Sequence, residues 1–159
     1  MNTEQSPATQ KSCADNLTER IIMVTNILNY ISNCPYLSSF NTNIEFLGKD
    51  KNSLSLSGRG EDKILKKYTD GDSIVARTYK MRLRLPFGID KMKNYENSRL
   101  CENISSWAEK NTKSGILPEL SDDKIPVSLQ IQFRMGDVSY FSDTAIYTAD
   151  IILVFYKAK

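Results

Sequence analysis

Residues 144–158 read TAIYTADIILVFYKA. Ala145, Tyr147, Ala149, Ile151, Leu153 and Phe155 share one phase, and Ile146, Ile152, Val154 and Tyr156 share the other. That is the two-residue period of a β-strand. In its second half both phases are apolar, so both faces of the strand seek cover. Such a strand is either central in a sheet, or covered by a helix on one side and a partner on the other. The rest of the chain must supply its neighbours.

Two further segments alternate in the same way. In residues 73–88, SIVARTYKMRLRLPFG, the side chains of Tyr79, Met81, Leu83 and Leu85 fall on one face and Thr78, Lys80, Arg82 and Arg84 on the other. Pro86 and Gly88 stop it. In residues 125–135, IPVSLQIQFRM, Val127, Leu129, Ile131 and Phe133 alternate with Ser128, Gln130, Gln132 and Arg134, and Gly136-Asp137 opens a connection. Further upstream, Ile44 and Phe46, then Leu54 and Leu56, alternate with polar neighbours around a turn at 48–52, which predicts a hairpin. Residues 58–72 read as a polar connection holding a small apolar knot at Ile64, Leu65 and Tyr68, with Asp70-Gly71 as a turn.

Two stretches carry the helical period instead. Asn16 and Glu19 form a capping-box pair, and Leu17, Ile21, Val24, Leu28 and Ile31 follow at spacings of four and three. Ile22, Ile27 and Tyr30 widen that face. Cys34-Pro35 ends the run, because proline disfavours helical geometry in the residue before it. A helix over 17–32 is predicted, preceded by a flexible tail over 1–14. A second helix is predicted over 90–112, with Asn97, Leu100, Ile104, Trp107 and Asn111 on one stripe and Cys101 and Ala108 beside it. Gly115 can take the left-handed conformation that terminates it, and Lys113 sits near its negative end. The expected fold is a single α+β domain over 15–159: a mixed, mostly antiparallel sheet packed against two α-helices.

Composition narrows the chemistry. The 159 residues suit one domain, and a net charge of +2 is too small to argue for nucleic acid. There is no histidine, so a Ser-His-Asp triad, a Cys-His pair and a histidine metal site are excluded. SGRGED and DGD match neither a P-loop nor an EF-hand spacing. No enzymatic role, metal or cofactor is expected. Cys13, Cys34 and Cys101 are odd in number and lack paired spacing, which predicts reduced thiols in a reducing compartment. The polar start and the lack of a bilayer-length apolar run predict a soluble cytoplasmic chain with no membrane partner.

Three groups of residues stand out as contact candidates. The row Lys80, Arg82, Arg84 either meets phosphate or an acidic protein surface, or is a solvated sheet face. Ile116, Leu117 and Leu120, in the GILPEL segment after the second helix, either tuck under the sheet or serve a partner. Ile152, Val154 and Tyr156 form the second apolar face of the last strand. Trp107 fits core packing better than an exposed anchor, given its helical spacing with Leu100 and Ile104.

The segments KKYTDGD (66–72), YENSRLCENISSWAEKNTKSGILPEL (95–120) and SDTAIYTADIILVFY (142–156), in this order, resemble small phage and prophage proteins of Gram-positive hosts. Their size and α+β pattern resemble tail terminators. The resemblance implies a structural protein of a virion or a phage-tail-like particle, assembled in the host cytoplasm. It implies a homo-oligomeric ring, usually hexameric, that sits on the tail tube protein, stops tube growth and faces neck or sheath proteins. A closed ring needs a head-to-tail interface between unlike patches. Apolar surface buried there contributes about 25 cal/mol per Å2. The rival expectations are a neck, head-completion or minor capsid component, and a nucleic-acid-binding module that uses the Lys80, Arg82, Arg84 face.

Overall fold

The computed structural model describes residues 7–57 and 61–159. Helix α1 spans Pro7–Ser32 and is followed by a short 3-10 turn, Pro35–Leu37. Strands β1 (Asn41–Ile44), β2 (Ser53–Leu56), β3 (Glu61–Lys67) and β4 (Ser73–Pro86) come next. Helix α2 (Lys91–Lys113) leads to two long strands, β5 (Lys124–Phe141) and β6 (Thr144–Lys157). The strands form one sheet in the order β1-β2-β4-β6-β5. β3 pairs with β4 on the edge that β2 also uses, each taking a different half of β4. Only β1 and β2 run parallel, and the other pairs are antiparallel. The chain is therefore α+β, with a mixed, mostly antiparallel sheet and two helices.

β6 is the central strand that its two apolar phases require. It pairs along its full length with β4 on one side and β5 on the other. On one face of the sheet Val75, Tyr79, Met81, Leu83 and Leu85 lie beside Ala149, Ile151, Leu153 and Phe155, all buried. Both helices cover this face: Met23, Val24, Ile27, Tyr30 and Ile31 of α1 and Ile104 and Ala108 of α2 belong to the same core. Trp107 packs against that core and against Tyr30, with ring centroids 5.1 Å apart.

α2 closes as its end residues dictate. The Asp90 carboxylate accepts from the Met92 N–H at its start. Gly115 adopts φ 75° at its end, where the Ile116 N–H reaches the Asn111 carbonyl at 2.8 Å. Near its last turn the Thr112 hydroxyl donates to the Leu129 carbonyl (3.0 Å) and accepts from the Leu129 N–H (3.1 Å), which satisfies both backbone groups of a residue in β5.

Several elements differ from expectation. α1 begins at Pro7, so Asn16 lies inside the helix, and residues 7–14, expected as tail, are helical. Residues 1–6 lie outside the described residues. Proline suits the first helical position, and no breaker follows it before Asn33. The face of α1 that meets the core starts at Met23, while Leu17, Ile21 and Ile22 are exposed. The expected hairpin over 44–56 is a parallel pair instead. Glu45 and Asn52 both take left-handed φ, at 64° and 61°, so residues 45–52 double back and β2 starts beside Asn41. Phe46 points to solvent.

The expected knot at Ile64 and Leu65 is part of a strand, β3, whose seven residues are all exposed. The turn at Asp70-Gly71 forms as expected, with φ 99° at Gly71 and its N–H on the Tyr68 carbonyl. β5 does not end at Gly136-Asp137. It continues to Phe141 after a register shift between Phe133 and Val138, because β6 is long enough to pair the whole of it.

Candidate assembly surface

The face of the sheet opposite the helices carries six of the nine residues singled out in the sequence. Lys80, Arg82 and Arg84 project from β4, and Ile152, Val154 and Tyr156 from β6. Register places them together: Ile74 faces Tyr156, Ala76 faces Val154, Thr78 faces Ile152 and Lys80 faces Asp150. The strip is therefore apolar at the end near Tyr156 and charged at the end near Arg84. Ile152, Val154 and Tyr156 are partly exposed, whereas their sequence neighbours Ile151, Leu153 and Phe155 are fully buried. No helix among the described residues covers this side. Only the loop 45–52 crosses it, over β2, where the Ser53 hydroxyl donates to the Asp50 carbonyl at 2.7 Å.

The charged row is not a uniform line of free cations. Arg84 donates from Nε to the Gly48 carbonyl at 2.9 Å and from Nη1 to the Thr144 hydroxyl at 3.1 Å, and its guanidinium lies over the Phe141 ring. It holds the loop 45–52 and the β5–β6 turn. Lys80 stands opposite Asp150, which Arg134 clamps through two 3.0 Å bonds. The side chains of Lys80 and Arg82 make no hydrogen bond or ion pair among the described residues.

Tyr156 has a structural tie as well. Its hydroxyl donates to the Asp72 carboxylate in the β3–β4 turn, and that carboxylate also accepts the Lys159 N–H at 2.8 Å. The Asp72 hydrogen bond pushes the Tyr156 phenol up to about 12. The same bond holds Asp72 below the usual carboxylate range.

Ile116, Leu117 and Leu120 are not on this surface. Leu117 and Leu120 pack against the core from the helix side, and Ile116 is exposed. Their segment lies across α1: the Tyr30 hydroxyl donates to the Ile116 carbonyl at 3.0 Å and the Asn26 amide to the Glu119 carbonyl at 3.1 Å. Of the two readings, tucking in is realised by Leu117 and Leu120. A groove of about 300 Å3 remains between the segment and Asn29 and Asn33.

Two buried charges escaped the sequence reading. Arg77 lies on the helix-covered face, with its side chain 8% exposed. It is held bidentately by Asp62 of β3, with Nη2 to Oδ2 at 2.7 Å, and Phe155 lies beside it. Burial raises the pKa of Asp62, but the hydrogen bond and charge of Arg77 outweigh it and hold the carboxyl below its ordinary value. The signal was available: Arg77 falls in phase with Tyr79, Met81 and Leu83. Lys124, 4% exposed, pairs with Glu19 of α1 and with Asp123 at 3.2 Å, joining the helix to the start of β5. Nothing in its local sequence marks it.

Cys34 and Cys101 are free and buried. Burial raises both thiols, Cys101 to about 12, so neither is poised as a nucleophile. No group of three or more metal-ligating side chains converges among the described residues. No helix among them is long and apolar enough to cross a membrane. No protein-family model and no curated protein matches the chain.

Proposed function

We propose that this chain is a structural subunit of a phage or phage-tail-like particle, which joins its copies in a ring on the end of a tail tube and stops the tube from growing. The observation that carries the reading is the open sheet face. A fold that fully buries one side of β4 and β6 leaves Ile74, Ala76, Ile152, Val154 and Tyr156 without a covering layer. A contiguous apolar strip of this kind marks a protein contact. Apolar groups are also exposed at both ends of the sheet, Leu17, Ile21 and Ile22 near one and Ile89, Tyr95 and Phe141 near the other. Unlike patches at separate places are what a head-to-tail ring requires. Six copies and a tail-tube partner follow from the likeness to tail terminators.

Growth ends by geometry in this mechanism. The ring matches the last tube layer on one side and offers no tube-like surface on the other, and no reaction is needed. Direct nucleic-acid binding draws less support, because Arg84 is committed within the chain and Asp150 faces Lys80.

Light scattering of the purified chain, alone and with tube protein, tests the reading, together with electron microscopy of capped tubes. A closed oligomer bound at one tube end is expected. The double variant Ile152→Asp, Val154→Asp should retain its circular dichroism and lose tube binding. A strict monomer without affinity for tubes would sink the proposal, as would a double variant that still caps them.

A further inference from the structure

β3 is an open edge with a polarised charge pattern. Among the described residues it hydrogen-bonds to β4 on one side only, and all seven of its residues are exposed. Glu61 and Asp62 occupy its first two positions, Lys66 and Lys67 its last two, and Ile64 and Leu65 lie between them, 61% and 52% exposed. Glu61, Lys63 and Lys67 make no ion pair among the described residues. By contrast, β5 has the backbone of Leu129 stitched to α2 by Thr112.

An unpaired edge is a template for another strand, and its side-chain charges decide which strand it accepts. Parallel pairing of two β3 strands sets lysine beside lysine, which is unfavourable. Antiparallel pairing about a two-fold axis near Ile64 does the reverse. Glu61 of each strand then lies beside the lysine end of the other, twice over by symmetry, and Ile64 of one copy lies opposite Ile64 of the other, while Asp62 stays with Arg77 of its own chain. The register shift between Ile64 and Lys66 and the lysines protect the edge against less specific pairing.

We infer that β3 is a self-association edge, through which two copies of this chain pair antiparallel and join their sheets into one. The occupant is a second copy because in that orientation Glu61 lies beside Lys66 and Lys67 of the other strand, whereas parallel pairing sets each charge beside its own kind. The inference does not rest on the ring reading: a two-fold contact uses the same patch on both copies, whereas a ring joins unlike patches.

Sedimentation equilibrium of the full chain over a micromolar concentration range tests it. A monomer–dimer equilibrium that weakens with added salt is expected. Lys66→Glu with Lys67→Glu should weaken the dimer at least about tenfold, and so should Glu61→Lys. Mixing the two variants should restore a one-to-one heterodimer. Because every altered residue is exposed, unchanged circular dichroism should accompany the loss. A wild-type dimer unaffected by the double charge reversal, a failure of the two variants to combine, or a wild-type chain that stays monomeric would each overturn it. If the wild type forms larger closed oligomers, a halving of their size in the charge-reversed variant would support the β3 pairing, and an unchanged size would overturn it.

Discussion

The two faces of the sheet are built from the same strands, β4 and β6, by alternate residues. On one face Phe155, Leu153 and Ile151 lie under two helices with no accessible surface. On the other, Tyr156, Val154 and Ile152 lie one residue away and stay partly exposed. Hydrophobicity hardly differs between the two sets. What differs is supply: the described residues form two α-helices, and both are spent on one side. Apolar character in a strand shows that cover is sought, and the number of covering elements within the described residues shows which face goes without it.

This contrast can be broken by substitution. Phe155→Ala should cost about 3–5 kcal/mol in urea denaturation, from lost transfer energy and the cavity left behind. Its neighbour Val154→Ala should cost less than about 1 kcal/mol in the isolated chain. Equal costs would mean that the open face is covered within one molecule. The Asp62–Arg77 pair comes next. Asp62→Asn leaves a buried guanidinium without its counter-charge, at about 2 kcal/mol, below the usual figure for a broken buried pair because the Asp62 side chain is 39% exposed. Asp62 has a depressed pKa when folded, so its contribution is present above the unfolded value of about 3.9 and is lost as pH falls through the folded one. The stability of the wild type should therefore fall more steeply in acid than that of Asp62→Asn, in pH-dependent denaturation.

Thr112→Val should cost about 1–2 kcal/mol, since it removes the partner of both backbone groups of Leu129. Hydrogen exchange at the Leu129 amide should accelerate with it. The smallest effect is expected on the open face: Lys80→Gln should change stability by less than about 0.5 kcal/mol, because Lys80 is exposed and the Asp150 opposite it is already paired with Arg134. A larger loss in the isolated chain would show that the charged end of that face is part of the fold rather than a contact surface.

Much of the architecture was legible because it is local. The period of β4 and β6, the helical stripe of α2 and the glycine stop at Gly115 each follow from neighbours within a few residues. The parallel β1–β2 pair was not, because two left-handed residues, Glu45 and Asn52, redirect the chain where glycine would have been the usual signal. β3 was missed because its alternation is broken by a register shift and its apolar residues are adjacent. Of the contact candidates, the sequence paired Lys80, Arg82 and Arg84 with nothing. It took the register of β4 on β6 to show that they share a surface with Ile152, Val154 and Tyr156, and that Arg84 is a brace within it.

The amino-acid sequence alone determines the alternating strands around 79–85, 127–133 and 145–155, the helical stripes of α1 and α2, and that the last strand is apolar on both faces. These depend on backbone preferences and side-chain periodicity, which act over a few residues. Only the tertiary structure decides which face the helices take, that Arg77 and Lys124 are buried beside carboxylates, and that Leu17 and Ile21 of an apolar helical stripe stay exposed. Burial and pairing depend on distant parts of the chain arriving at the same place, and no local pattern records that arrival.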